Sequence, residues 1–255
     1  MTAPRDNAAA STAEVLRKRA SVLERLADGP RDQRTLREEL GVSRSTAYKS
    51  LSDLEEAGLV TDRGSSYALT TFGRMAWQRH DAYLARLRRL AGVEELLAAL
   101  PDDYRLPLSV FEHGRVELAG RHAPERPLER MERLSGSAGR IRVASPAGMP
   151  RYLETIHDRA EAGTQTALLV LERAAARRLE ADYERFGAAD SSDGIEIRAI
   201  DSTLPFALVL FDEAWLGLFA YDDGALVGAC YTDDEAALQW GRRQFERFRE
   251  RAEPT

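Results

Sequence analysis

Apolar residues recur at helical spacing through most of the first seventy positions of the chain. These positions are Val15, Val22, Leu23 and Leu26 in a first segment, and Leu36 and Leu40 in a second. The spacing predicts two amphipathic helices, which we place at residues 11–28 and 32–40. Gly29 and Pro30 break the chain between them. Residues 1–11 are small and polar, and we expect them to be disordered.

The segment from Gly41 to Gly58 has the features of a helix that is held by one face. Gly41 permits the positive-φ turn that ends the preceding helix, and the Ser43 hydroxyl is suited to cap the next one. The residues at i, i+4 and i+7 along the segment are Ala47, Leu51 and Leu54. This spacing gives a third helix with a single apolar face.

The opposite face of this third helix carries hydrogen-bond donors and no acidic residue in its first two turns. Its candidate DNA-binding residues are Ser43, Arg44, Ser45, Thr46, Tyr48 and Lys49. Arg44 and Lys49 are natural partners of a phosphate or a guanine, as on a recognition helix whose first turns enter the major groove. An ordinary amphipathic surface helix would show the same spacing.

Two short extended segments follow at residues 59–62 and 66–69, and the residues between them predict a hairpin. Three helices and a two-stranded hairpin form a winged helix-turn-helix domain, which we assign to residues 12–70. Arg63 at the hairpin tip and Arg34 in the second helix are candidates for contacts with the DNA backbone. A hairpin arginine can equally be a solvated side chain.

A connecting helix is predicted from residue 71 to about residue 100. Its apolar stripe, at near-heptad spacing, consists of Phe72, Ala76, Tyr83, Leu87, Leu90 and Leu97, with Glu94 as an interruption. Such a stripe can pair two copies of the chain, or it can pack on the chain's own domains. We expect a homodimer, held either by this helix or by the C-terminal domain.

From about residue 101, short apolar strands alternate with amphipathic helices, and three closely spaced strands follow. The predicted helices lie at residues 128–134, 150–162, 174–186 and 233–251, and the predicted strands at 140–144, 165–171, 195–200, 206–211, 215–221 and 226–230. This order predicts a mixed α/β sheet with helices on its faces. The overall class is therefore α+β: a winged helix-turn-helix, a connecting helix at 71–100, and an α/β effector or assembly domain at 101–251.

The distribution of charged residues, like the pattern of apolar residues, distinguishes an N-terminal part of the chain from a C-terminal part. The 255 residues carry a formal net charge of −6, yet residues 1–90 hold 16 Lys and Arg against 12 Asp and Glu, and the rest hold 20 against 30. A basic N-terminal part favours nucleic acid as its partner, although chance segregation of surface charge would look the same.

The polar N-terminus has no apolar signal core and no apolar run could span a bilayer. We therefore expect a cytoplasmic protein without membrane contact.

The sequence lacks the patterns that commonly mark catalysis or metal binding. His80, His113, His122 and His157 form neither a zinc-binding repeat nor the His-x-Lys pattern of phospholipase-D-type phosphotransfer. Cys230 is the single cysteine, which excludes an internal disulfide and a cysteine metal cluster. We therefore expect no metal, no cofactor and no enzymatic activity, and we keep an unidentified small-molecule effector as a partner.

Three N-terminal segments resemble winged-helix transcription regulators of bacteria and archaea: LREELGVSRST at 36–46, LSDLEEAGLV at 51–60 and YALTTFG at 67–73. Most of residues 95–250 resembles the middle domain of archaeal regulators of the methanogenesis-regulator type. That resemblance rests on RIRVAS at 140–145, TLPFALVLFDE at 203–213, the YDDG turn at 221–224 and ALQWGRRQFERF at 237–248. It implies a sensing or assembly role for this domain and no catalytic residues.

We therefore expect a sequence-specific DNA-binding transcription regulator. Its partner would be double-stranded DNA, read in the major groove by the third helix, while the α/β domain senses a ligand or holds a dimer. Two alternatives stay open. The winged helix could bind a protein instead of DNA, or the chain could be a regulatory enzyme of unknown reaction.

Overall fold

The hydrophobic side chains gather into separate cores in the two parts of the chain, Met1–Arg88 and Arg89–Thr255. The structure, a computed structural model, describes residues 3–101, 104–187 and 194–255. Each unit has its own secondary structure and its own buried cluster, so each is considered in turn.

The N-terminal region is helical and contains a short hairpin. Its helices are α1 Ala3–Lys18, α2 Ala20–Ala27, α3 Gln33–Leu40, α4 Arg44–Glu56 and α5 Thr71–Ala91, and its strands are β1 Val60–Asp62 and β2 Tyr67–Leu69. The two strands pair antiparallel, with Val60 opposite Leu69. Arg31 adds a backbone bridge to Tyr67. This is the predicted winged helix-turn-helix.

The core of this first unit consists of the apolar stripes that the sequence indicates. Leu23, Leu54 and Leu59 are completely buried, and Leu36 is 1% exposed. They pack in one cluster that joins α2, α3, α4 and the start of the hairpin. Burial of each such leucine side chain contributes about 1.5–3 kcal/mol, so the core holds the helices in fixed positions.

The structure differs from the prediction at the start of the chain. Helix α1 begins at Ala3, inside the segment expected to be disordered, and the run of alanines at residues 8–10 has high helix propensity. The single helix predicted for residues 11–28 is divided at Arg19, whose backbone is not helical (φ −113°, ψ 20°). The Arg19 side chain is bonded to Asp53 of α4, a contact that helical spacing cannot predict.

Helix α5 begins in close contact with the hairpin. The Thr70 hydroxyl donates to the Gly58 carbonyl (2.7 Å) and accepts from the Gly73 amide (2.8 Å), so it caps the helix. A Cβ atom on Gly73 would lie 1.8 Å from the Leu59 carbonyl oxygen. Only glycine therefore fits at this position.

The connecting helix is shorter than predicted. Helix α5 ends at Ala91 and a separate short helix, α6 Glu94–Ala98, follows. Gly92 lies at the break, where its backbone freedom lowers the stability of a continuous helix, and Val93 beyond it is buried. The prediction of one apolar stripe to residue 100 was therefore wrong, because Glu94 and Leu97 belong to another helix.

The C-terminal region contains a large mixed sheet with helices on both faces. After α6 come α7 Ser109–Glu112, β3 Arg115–Leu118, α8 Arg126–Ser137, β4 Arg140–Ser145, α9 Pro150–Glu161, β5 Thr166–Glu172, α10 Arg173–Asp182, β6 Ile195–Ile200, β7 Ala207–Phe211, β8 Trp215–Asp222, β9 Ala225–Thr232, α11 Glu235–Glu250 and β10 Glu253–Pro254. The strand order is β10-β6-β5-β4-β7-β8-β9-β3. Strands β4, β5 and β6 are parallel, and the other pairs are antiparallel. The predicted fold class is confirmed.

Alternate residues of the strands face the two sides of the sheet. On one side, Leu208, Leu210 and Leu218 pack with α6, α7 and α11. On the other side, Ile141 and Phe219 belong to a cluster with α8, and a second cluster joins β5 and β6 to α9 and α10. The sheet is thus buried on both faces, which explains why its central strands read as continuous apolar runs.

Strand β3 lies where the sequence predicts only loops. It pairs with β9 at the edge of the sheet, and its Glu117 is only 6% exposed. The Glu117 carboxylate is bound by Arg115 at 2.6 Å and by Arg126 at 3.1 Å. A glutamate whose side chain points into the protein interrupts the alternation of apolar and polar residues. The sequence pattern therefore does not indicate a strand here.

Replacement of Gly73 by alanine should destabilise the first unit. The new methyl group would displace α5 from the Leu59 carbonyl, and overpacking of this kind costs about 3 kcal/mol. Urea-induced unfolding followed by amide hydrogen exchange in α2–α4 measures the change.

The matched control is Gly136→Ala in α8, where a Cβ atom meets nothing within 4 Å. A helical alanine should leave stability unchanged or raise it by up to about 1 kcal/mol. Equal effects of the two substitutions would show that the contact between Gly73 and Leu59 does not constrain the fold.

Candidate nucleic-acid interface

Helix α4 begins at a tight turn that the sequence specifies. Gly41 has φ 64° and its amide donates to the Arg37 carbonyl, which ends α3. Two residues later, the Ser43 hydroxyl accepts a hydrogen bond from the Thr46 amide at 3.1 Å. The turn and the cap fix the direction in which the first turn of α4 leaves α3.

One face of α4 is buried along its whole length. The residues on it are Ala47, Ser50, Leu51 and Leu54. The Ser50 hydroxyl donates back to the Thr46 carbonyl at 2.9 Å, which satisfies the one polar side chain on this face. The helix therefore cannot rotate about its axis without exposing leucines to water.

The far end of α4 is fixed by backbone hydrogen bonds. The Leu59 amide donates to the Leu54 carbonyl and the Gly58 amide donates to the Glu55 carbonyl, both at 2.9 Å. With Gly58 at φ 68°, this is the Schellman arrangement that ends many helices. The Glu55 side chain also accepts from the Asp62 amide at 3.1 Å, so α4 is bonded to the first strand of the hairpin.

A side-chain ion pair fixes α4 from the other side. The Arg19 guanidinium donates to the Asp53 carboxylate from two nitrogens, at 2.6 and 3.1 Å. Both side chains are partly buried, at 20% and 34% exposure. Such a two-nitrogen contact gives geometric definition as well as energy. Helical spacing cannot predict this pair, because its partners are 34 residues apart in the chain.

The six residues predicted on the reading face of α4 are all exposed. They are Ser43, Arg44, Ser45, Thr46, Tyr48 and Lys49. The three hydroxyl side chains are linked, because the Ser43 oxygen lies 2.9 Å from those of both Ser45 and Thr46. The structure thus keeps the six together on the free side of the helix, although Ser43 is also used as the cap.

Arg44 and Lys49 project from this face without an ion-pair partner among residues 3–101, 104–187 and 194–255. Between them lies Tyr48, 64% exposed. The exposed ring offers a polyanion a flat contact surface. The two cations beside it offer positive charge. The acids of the helix, Asp53, Glu55 and Glu56, all lie in its second half.

The two predicted backbone-contact residues differ in their surroundings. Arg34 on α3 is 81% exposed, but it is bonded to Glu38 at 2.9 Å, and that hydrogen bond raises the pKa of the guanidinium. Arg63 lies at the tip of the hairpin and is exposed. The tip is ordered by the Asp62 carboxylate, which accepts from the Gly64 amide at 2.7 Å. Arg63 is therefore the freer of the two cations.

Within the described part of the chain, no three His, Cys, Asp or Glu side chains come together as metal ligands would. Among the described helices, none combines the length and the apolar character needed to cross a membrane.

With a winged helix-turn-helix followed in the sequence by a mixed sheet domain, the chain is of the archaeal helix-turn-helix regulator type. The chain belongs to the family of the methanogenesis regulatory protein FilR1, whose middle-domain model matches residues 124–251. Residues 7–91 match the model of the HVO_A0261 N-terminal domain. No protein of curated function matches the sequence significantly.

Several solved structures are similar to this chain at low sequence identity. TrmBL2, described as an archaeal chromatin protein with a novel mode of DNA binding, is 16% identical, with a TM-score of 0.45 over 95% of this chain and 98% of that one. NucT from Helicobacter pylori is 10% identical (TM-score 0.42, 56% and 98% covered). Nuc from Salmonella typhimurium, a phospholipase D family member, is 11% identical (TM-score 0.42, 56% and 99% covered).

Loss of the α4 cap should lower the stability of the protein even in the absence of DNA. Ser43→Ala removes the acceptor of the Thr46 amide and should cost about 1 kcal/mol of stability, measured by urea denaturation. Ser45→Ala is the control, because its hydroxyl bonds only to another side chain, and it should cost a few tenths of a kcal/mol at most. A larger loss for Ser45→Ala than for Ser43→Ala would contradict the assigned cap.

Proposed function

We propose that this protein is a sequence-specific DNA-binding regulator of transcription that reads duplex DNA with α4. The observation that supports this most directly is the pair of free cations, Arg44 and Lys49, on the exposed face of a helix whose other face and both ends are fixed. A recognition helix needs this combination, because its first turns must reach base edges while the rest of the domain holds it in register.

The proposed division of labour follows from the type of each side chain. Arg44 would donate to a guanine edge or a phosphate, and Lys49 would act as a point charge toward phosphate. Ser45 and Tyr48 would add hydroxyl donors beside them. Ser43 and Thr46 would contribute mainly by keeping the first turn in shape, because their hydroxyls already bond to one another.

The hairpin would act as the wing of the domain. Arg63 at its tip has no acid bonded to it in the described structure, so its charge is available to a phosphate. Arg34 would contribute less, because Glu38 already neutralises its guanidinium. On this proposal the two positions give different losses on mutation, although both are exposed arginines in the same domain.

The DNA-binding face can be tested with labelled duplex DNA from upstream of the gene that encodes the protein. Arg44→Ala combined with Lys49→Ala should lower the affinity at least tenfold and reduce the slope of log K against log salt by about two units for each bound chain. Arg63→Ala should reduce the slope by about one unit for each bound chain, and Arg34→Ala by less. Fluorescence anisotropy at several salt concentrations gives both quantities.

The control removes the same charge elsewhere. Arg133→Ala with Arg178→Ala changes two exposed arginines of the C-terminal unit and should leave affinity and slope unchanged. If the α4 variant binds as tightly as the wild type, the face is not the DNA-binding surface. If both variants lose the same affinity, binding depends on net charge alone.

We further propose that α5 pairs two copies of the chain. Phe72, Met75, Tyr83 and Leu87 are between 42% and 63% exposed, and their spacing of i, i+3, i+11 and i+15 puts them on one side of the helix. Large apolar side chains on one exposed stripe favour a partner surface. A second copy fits best, because two winged helices would read two half-sites and double the phosphate contacts.

Acidic substitutions in this stripe test the dimer. Tyr83→Glu with Leu87→Glu should convert the protein from dimer to monomer in sedimentation velocity, because four charges would face one another across the pair of helices. The DNA affinity should fall at the same time. Ala85→Glu, at an exposed position on the side of α5 opposite Tyr83 and Leu87, should leave the mass unchanged. A wild-type protein that is monomeric at micromolar concentration would contradict the proposed role of α5.

A further inference from the structure

One face of the large sheet is incompletely filled. A cavity of about 450 Å³ lies between the sheet and helices α8 and α9, within the C-terminal unit. Its floor is formed by β4, β5, β7 and β8, through side chains such as Val143, Leu169, Val209 and Phe219, and its walls include Met131 of α8. The volume falls in the range of sites that hold small organic molecules.

The cavity arises because two hydrophobic clusters share this face without merging. One cluster joins β5 and β6 to α9 and α10, and the other joins β7, β8 and β9 to α8. Val143 of β4 touches both clusters and lies between them. Ala207 and Ala147 line the same space, and their short side chains leave it open. A void lined by apolar atoms forfeits packing energy, so a bound apolar molecule would recover it.

The position of the cavity in the topology also favours a ligand. Strand β4 has a parallel neighbour, β5, on one side and an antiparallel neighbour, β7, on the other. The cavity reaches the carboxyl end of β4 and the loop of residues 146–149 that leads to α9. In open α/β sheets, crevices at the carboxyl ends of strands, where the direction of chain connection changes, are the usual ligand sites.

The polar groups on the sheet side of the cavity are few and uncharged. Ser145 at the end of β4 and Tyr221 of β8 both line it. The Ser145 hydroxyl donates to the Ala147 carbonyl at 2.7 Å and accepts from the Ala147 amide at 3.1 Å, so its hydrogen is already committed. Burial raises the pKa of Tyr221 to about 12, although a hydrogen bond with Ser145 acts in the opposite direction. The phenol is therefore neutral and able to donate at physiological pH.

The charged residues that line the cavity are Arg151, Glu132 and Glu154, and the one cation among them is already paired. Arg151 is bonded to Glu132, and its guanidinium also lies 3.5 Å from Glu125. It stacks 4.9 Å from the ring of Tyr152. An anionic group on a ligand would thus find no free cation among the residues that line the cavity, and its desolvation would be uncompensated.

We propose that this cavity, between α8, α9 and the β4–β8 part of the sheet, is an effector site for a neutral, largely apolar organic molecule with one hydrogen-bonding group. The apolar body lies on Val143, Leu169 and Phe219. The polar group bonds to the Tyr221 hydroxyl. As an effector site it rests on the proposed function, whereas occupancy of the cavity itself requires no DNA.

Occupancy is tested on the full-length protein with the neutral fluorescent dye N-phenyl-1-naphthylamine. The dye should bind with a stoichiometry of one per chain and increase in fluorescence. 2-Naphthol should displace it, whereas 2-naphthoate, its anionic counterpart, should need at least a tenfold higher concentration. Absence of dye binding, or equal competition by the anion, would overturn the proposal.

Two substitutions fill the cavity from different sides. Ala207→Phe occupies the floor and Ala147→Trp occupies the loop at the mouth, and each should weaken dye binding at least tenfold. Ala162→Trp, at an exposed position after α9, is the control and should bind as the wild type does. Circular dichroism verifies that each variant is folded, and the loop position gives a readout if the strand substitution unfolds the sheet. Unchanged binding by a folded, filled variant would overturn the site.

The polar contact is tested by Tyr221→Phe. This variant should bind 2-naphthol roughly fivefold more weakly, the effect of one neutral hydrogen bond, and should bind 2-methylnaphthalene as the wild type does. Tyr183→Phe is the matched control, because its buried hydroxyl bonds to His157 at 3.0 Å. Equal losses for both ligands in Tyr221→Phe would overturn the assigned contact.

The regulatory consequence has its own test. Saturating 2-naphthol should change the DNA affinity of the wild type at least threefold and leave that of a filled variant unchanged. An unchanged DNA affinity of the ligand-bound wild type would overturn the effector role. Dye binding is measured without DNA. If the protein fails to bind DNA, the proposed function is overturned, but the result on the occupancy of the cavity still stands.

Discussion

The rigid seating of α4 is the constraint on which the account of the N-terminal unit depends. Leu51 and Leu54 are buried in the core, and the Arg19–Asp53 pair and the Glu55–Asp62 bond fix the helix from two further directions. A free arginine or lysine on a mobile segment would lose much of its interaction energy to ordering. On a fixed helix, the cost of ordering is met during folding, and only side-chain freedom remains to be lost on binding.

The C-terminal unit is governed by a different constraint. Its sheet is covered on both faces, and one face is sealed by α6, α7 and α11 around fully buried side chains such as Phe206 and Phe245. The other face is shared by two clusters that leave a gap over β4. A close-packed protein interior tolerates such a void at a cost in stability. The contrast between the sealed face and the open one is the physical basis for assigning an effector to the latter.

The sequence predicted those parts of the structure that depend on local spacing. The leucine positions of α3 and α4, the turn at Gly41 and the apolar strands of the sheet all follow from residues within a few positions of one another. The sequence could not predict the break at Arg19, because its partner Asp53 is distant in the chain. Strand β3 was missed for a related reason: Glu117 is buried only because Arg115 and Arg126 bind it.

The same distinction applies to the candidate site. The exposed face of α4 follows from helical periodicity, so its members could be named in advance. The difference between Arg34 and Arg63 could not, because it depends on which acid each guanidinium meets in three dimensions. The cavity over β4 also has no counterpart in the sequence pattern, since its apolar wall residues appear as ordinary core positions.

The central claim is that the first turns of α4 lie against DNA, and directed cleavage measures this most directly. Cys230 is buried and burial raises its pKa to about 12, so Ser45→Cys supplies the one reactive thiol for an iron chelate. The account predicts strand cuts inside each bound half-site, on both strands of the major groove. Bound DNA that remains uncut by the chelate at position 45 would contradict it.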